Sequence, residues 1–207
     1  MEPRDGILRA AQVVFARHGF RQTSMAMVAE EARLTRQALY HHFESKEALF
    51  AALVDLLQDE ALGAAKDAAA KGGRDAPDAV TQIVTAYHRS LVASVAGSPF
   101  AAELIEESSR HCGPAISAYA KRYEKLLETS IAGLARAGRL TLRGATAHEL
   151  AQMIAVAAKG VKVAFAGESE AAHSQALKRI IELICAGAGT LPAKAQPKMG
   201  TARRAIR

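Results

Sequence analysis

Apolar side chains recur at three- and four-residue intervals along most of this chain, the period of helices laid against a core. Ile7, Leu8, Ala11, Val14 and Phe15 mark a first helix over residues 4–18, with Gly19 as its stop. Ser24 caps a second, ending near residue 32, whose inward face is Met25, Val28 and Ala29. Thr35 caps a third through residue 42, anchored by Leu39 and Phe43. A long fourth helix opens at Lys46, with Leu49, Phe50, Leu53, Val54 and Leu57 as its stripe, and fades at Gly72-Gly73. Further helices are predicted over 77–95, 98–110, 114–137, 147–166 and 170–188, with Gly113-Pro114 as a break. The pattern therefore predicts an all-α fold of about nine helices. Residues 190–207 carry almost no large apolar side chain and are predicted to form a disordered tail.

Residues 24–46 hold two short amphipathic helices separated by a three- or four-residue turn. That suits a helix-turn-helix, in which the second helix enters the major groove and the first crosses the backbone. Only the leading turn of such a helix reaches base edges, and here it carries Thr35, Arg36, Gln37 and Ala38. Arginine can grip guanine O6/N7 and glutamine adenine N6/N7, each with two hydrogen bonds, while an alanine methyl can meet a thymine methyl. Tyr40, His41, His42 and Lys46 lie further along, where hydroxyl, imidazole and ammonium groups suit phosphates. Ser24, leading the crossing helix, completes the candidate DNA-contacting set.

Composition sharpens this picture in four ways. Alanine, the best helix former, supplies 46 of 207 residues, and tryptophan is absent. No run approaches the roughly 18 apolar residues of a membrane span, and the first residues lack a signal-peptide core, so no membrane partner and a cytoplasmic location are expected. Cys112 and Cys185 fit no metal-ligand spacing; no metal or cofactor is expected, and reduced thiols are the default. The net charge of +6 is misleading as a whole, because residues 1–55 hold seven basic and seven acidic side chains while five uncompensated cations fall in residues 190–207. DNA affinity must then come from arrangement, with Arg21, Arg36 and Lys46 expected on one side.

The stretches ILRAAQVVFARHGF and TSMAMVAEEARLTRQALYHHFESKEALFAAL resemble the TetR family of bacterial transcription regulators. The likeness rests on the Phe15–Gly19–Phe20 spacing, Thr23-Ser24, Ala29, Leu39-Tyr40, Phe43, Lys46 and Leu49-Phe50. It implies that Arg36, Gln37 and Ala38 align with base readers, and that Tyr40, His42 and Lys46 contact backbone or flanking bases. Two departures stand out: Arg33 replaces the usual turn glycine, and Met27 replaces the acid three residues after the Ser24 cap. A left-handed backbone at Arg33 would cost about 1 kcal/mol or more.

The resemblance implies three parts: a DNA-binding domain over 1–46, an effector-binding and dimerisation domain over 47–189, and the basic tail 190–207. The last two helices would pack against their copies in a homodimer through Leu150, Ile154, Ala157, Val161, Phe165, Leu177, Ile180, Ile181 and Ile184. The same stripes would also serve an intrachain core. Tyr87, His88, Arg89, Glu103, His111, Tyr119 and Met153 are the polar or soft side chains available to an effector pocket. The implied function is a repressor that leaves a palindromic operator in double-stranded DNA when an unknown small-molecule effector binds. The alternative is an effector-independent or architectural DNA-binding protein. An enzyme is not expected, since the histidines are scattered and neither HExxH nor GxSxG occurs.

Overall fold

A computed structural model describes residues 3–164 and 170–188, with the backbone alone at 162–164 and 170. Phe165 and the expected tail 190–207 lie outside the described residues. Among the described residues the chain forms eight helices: α1 (Pro3–Gln22), α2 (Met25–Glu31), α3 (Arg36–His42), α4 (Lys46–Lys71), α5 (Ala76–Ala93), α6 (Ala101–Arg136), α7 (Ala147–Ala164) and α8 (Glu170–Ala188). The all-α class holds, and the expected nine helices become eight.

The missing helix comes from the Gly113-Pro114 break, which does not occur. Pro114 sits inside the continuous α6. A mid-helix proline removes one hydrogen bond and crowds a carbonyl, costing about 3 kcal/mol. Burial of Leu104, Cys112, Tyr119, Tyr123, Leu127 and Ile131 on the same helix outweighs that penalty. Ser98 does not cap α6 directly. Its hydroxyl accepts from the Phe100 N–H and donates to the Ala16 carbonyl of α1, tying the α5–α6 turn to the N-terminal helices.

Two apolar clusters result. The first joins α1, α2, α3 and the opening turns of α4, with Leu104 and Cys112 of α6 packed against them. The second fills the space among the rest of α4, α5, α6, α7 and α8. At 36 residues and 1.5 Å per residue, α6 is about 54 Å long and serves both. No helix among the described residues is long and apolar enough to cross a membrane.

The helical backbone breaks at Gly19 as expected, and a short further helical segment reaches Gln22 beyond the kink. The Gly19 φ of 73° is left-handed, and a Cβ there would sit 2.8 Å from the Glu103 carboxylate and 2.9 Å from the Phe100 ring. Glycine is therefore required twice, by backbone and by space.

Candidate nucleic-acid interface

The turn between α2 and α3 is built by local chemistry. Ser24 Oγ accepts the Met27 N–H, and Thr35 Oγ1 accepts the Ala38 N–H at 3.1 Å. At the end of α2 the Arg33 N–H reaches the Glu30 carbonyl and the Leu34 N–H the Ala29 carbonyl. That double bond is a Schellman stop with arginine in the place glycine usually takes. Arg33 has φ 56°, so the turn keeps the left-handed conformation in spite of the missing glycine. Arg33→Gly should therefore raise stability by about 1 kcal/mol, seen as a higher urea midpoint at unchanged m-value. A destabilised Arg33→Gly protein would mean that the arginine side chain contributes more than its backbone costs.

Leu39 and Phe43 are buried and pin α3 inward, and the Arg4 guanidinium lies over the Phe43 ring. Thr35, Arg36 and Gln37 are exposed, and Ala38 is half-buried. Tyr40 is 41% exposed, with the Arg36 guanidinium 5.6 Å from its ring centroid, one turn earlier on the same face. This stacking restricts Arg36 without removing it from solvent. Ser24, His41 and His42 are exposed as well. Thr35, Arg36 and Gln37 thus stand exposed at the leading end of α3.

Lys46 is placed differently. Its ammonium donates to the Phe20 and Arg21 carbonyls at 2.9 and 3.4 Å and lies 4.5 Å from the Phe20 ring centroid. It closes the C-terminal end of α1, where the last carbonyls lack helical donors. Arg21 is also engaged, with Nε 3.1 Å from a Glu107 carboxylate oxygen and its backbone N–H on Glu103 at 2.8 Å. Of the three cations expected to share one side, Arg36 alone points away from protein acceptors.

Glu107 is the centre of the contact between α1 and α6. Its side chain is buried and faces Arg21, Arg110 and His111. Burial works to raise its pKa, but the Arg21 hydrogen bond and the charges of Arg110, Arg21 and His111 outweigh that and hold it below the ordinary value. The Arg21 guanidinium is correspondingly raised, first by the Glu107 hydrogen bond. A carboxylate depressed in the folded state adds stability at neutral pH that is lost as pH falls through its folded pKa. Glu107→Gln should lower the melting temperature at neutral pH, with the gap to wild type closing on acidification. An equal gap at every pH would show a packing effect alone.

The side chains expected at an effector pocket separate. Glu103 and His111 belong to the junction just described, His111 lying 5.0 Å from the Phe20 ring. Tyr87 is buried, donates to Gln58 Oε1 at 3.0 Å and stacks on Tyr123 at 4.0 Å, burial pushing its hydroxyl up to about 12. His88 meets both rings edge-on. Arg89 is exposed, Tyr119 is buried under the Arg122 guanidinium, and Met153 is 54% exposed on α7. Cys112 is buried with its thiol pushed up by burial and by Asp55, unlike a reactive thiolate.

The expected dimer stripe also needs correction. Leu150, Ile154, Val161, Leu177 and Ile181 are already buried within this one chain and have almost no surface to give to a partner. The helical period was right, but it records the intrachain core. Ala157, Ile180 and Ile184 are only partly covered. Among the described residues of these helices, the large apolar side chains left exposed are Met153, Val156 and Leu183, none of them expected at an interface. Their signal was a second, flanking stripe at the same period.

Residues 7–53 match the family model described as bacterial regulatory proteins, tetR family. The chain is 42% identical over 57 residues to the HTH-type transcriptional regulator UidR of Escherichia coli K12, covering 28% of each protein. It is 30% identical over 91 residues, 44% of each, to the HTH-type transcriptional repressor KstR2 of Rhodococcus jostii RHA1. These alignments span less than half the length of either relative. The crystal structure of the regulator FadR from Bacillus subtilis in complex with stearoyl-CoA superposes with a TM-score of 0.64 over 88% of this chain and 98% of that one, at 18% identity. That likeness concerns the fold.

A short exposed helix, capped at its leading end and pinned by Leu39 and Phe43, defines the N-terminal unit as a helix-turn-helix domain. Residues 7–53 match the tetR family of bacterial regulatory proteins, and 88% of the chain shares the fold of the FadR structure.

Proposed function

We propose that this protein is a cytoplasmic transcriptional regulator that grips a palindromic DNA operator as a homodimer and is displaced when a small molecule binds its helical body. The observation that carries this reading is the α3 tip, where Arg36 and Gln37 stand exposed on a helix held from behind. Residues 1–46 form the reader and 47–189 the body, with the opening turns of α4 completing the reader's core. Ser24, Thr35, Tyr40, His41 and His42 face phosphates around the base-reading pair. Lys46 contributes mainly by holding α1, and through it the pose of α3.

Two copies supply what one reader lacks, since a two-fold pair reads half-sites about 34–36 Å apart. The surface around Met153, Val156 and Leu183 is our candidate for the self-complementary face. Repression is the sign we favour, in keeping with the repressor KstR2. The FadR structure, holding stearoyl-CoA, supports a body able to receive a small molecule.

Selection from random double-stranded DNA, paired with sedimentation, tests the reading. Wild type should sediment as a dimer and enrich a palindrome. Val156→Glu should yield folded monomers with operator affinity at least tenfold weaker. Enrichment of no sequence, with binding that simply tracks DNA length, would instead favour an architectural protein.

A further inference from the structure

Beside the reader, a cavity of about 380 Å³ opens among α1, α4, α5 and α6, within the size range of small-molecule sites. None of the seven side chains expected at an effector pocket lines it. Its back wall is Phe15 and Phe50, two members of the apolar cluster that holds the reader together. Val92 and Ile105, both nearly half exposed, stand on its lining toward solvent.

The lining contains no Asp, Glu, Lys, Arg or His. Its hydroxyl protons are already used: Ser94 donates to the Leu91 carbonyl, and Ser108 and Ser109 both donate to the Ile105 carbonyl. Gln12 donates to the Ser94 carbonyl. Gln58 has its side-chain oxygen engaged by the Tyr87 hydroxyl, which leaves its amide N–H groups, with the second N–H of Gln12, as the donors on offer. A charged ligand would find no counter-charge here and would lose its hydration without replacement. A neutral, mostly apolar molecule with one oxygen acceptor meets every group present. A second cavity, of about 640 Å³ between α5 and α8, is lined by His88, Arg89 and His173 and suits anions instead.

Resting on the proposed regulatory function, we infer that the cavity walled by Phe15 and Phe50 is the effector site, and that its ligand is an uncharged lipophilic molecule whose carbonyl or ether oxygen accepts from Gln58. The occupant touches the reader's own core directly. It also touches the α5–α6 segment, which grips α1 through the Gln12–Ser94 and Ser98–Ala16 hydrogen bonds. A ligand that fits best when α1 shifts against that segment changes the presentation of α3. Operator affinity should then fall by about 5- to 150-fold, the range of typical couplings.

The test uses the full chain and two fluorescent probes with one body: pyrenebutyric acid methyl ester, which is neutral, and pyrenebutyrate, which is anionic. The ester should bind one per chain, at least tenfold more tightly than the acid. Ile105→Trp, at an exposed lining position, should weaken ester binding at least tenfold. Ser109→Glu, exposed on the same lining, should do so by charge alone. Ser174→Trp, in the second cavity, should leave ester binding unchanged. Equal affinity for ester and acid, or ester binding lost in Ser174→Trp and kept in Ile105→Trp, overturns the assignment. Because probe binding is read without DNA, its failure alongside intact operator selection condemns the cavity alone. Ester binding as predicted with no operator selected would condemn the regulatory reading.

Discussion

Phe50→Ala is expected to cost the fold about 3–5 kcal/mol, a large share of the 5–15 kcal/mol that holds a typical domain together. Phe50 is 3% exposed on α4 and joins two aromatic contacts at once: Phe15 at 5.0 Å nearly edge-on and Phe20 at 4.9 Å tilted. Phe20 in turn sits under the Lys46 ammonium and beside His111 of α6. Removing the central ring therefore loosens α1 from α4 and weakens the junction with α6. One side of Phe50 already borders the cavity, which places the loss toward the lower end of the range. Urea unfolding gives the number, and DNA binding should fall with it because α3 is positioned by the same core. A loss below about 1 kcal/mol would mean that the surrounding helices collapse into the space, contrary to Phe50 holding α1 against α4.

Gln37→Ala should leave stability unchanged and relax preference at one base pair in each half-site, costing about 1–3 kcal/mol there. The side chain is exposed and its removal uncovers nothing buried. Arg36→Ala should act likewise at a neighbouring pair, with an additional small effect from the lost stacking on Tyr40. Both substitutions should spare affinity for random DNA more than affinity for the operator, since base contacts specify and phosphate contacts position.

Much of the reader was legible because its determinants are local. Ser24, Thr35 and Ser45 each cap a helix through an N–H three residues ahead, a signal contained within four letters of sequence. Leu39 and Phe43 fall one turn apart and name the buried face of α3. The departure at Arg33 was visible as a missing glycine, but only the structure shows that the turn stays left-handed there.

What escaped depends on distant partners. Glu103 and His111 looked like pocket residues on a middle helix, but their neighbours on α1 lie more than eighty residues earlier in the chain. Lys46 was expected to face phosphate, and its ammonium instead meets carbonyls some twenty-five residues upstream. Pro114 carries a true helix-breaking preference that tertiary burial overrides. The stripes on α7 and α8 were located correctly, yet periodicity does not say whether the opposing surface belongs to the same chain. A cavity bounded by Phe, Leu, Val and Ser reads in one dimension as ordinary core.

The central claim is that the leading turn of α3 reads base edges. Its most direct test is a scan of every base pair in the selected operator against wild type and Gln37→Ala. Wild type should lose about 1–3 kcal/mol on substitution at each discriminating position, and the variant should become indifferent at one symmetric pair of those positions alone. Identical base-pair profiles for the two proteins would contradict it.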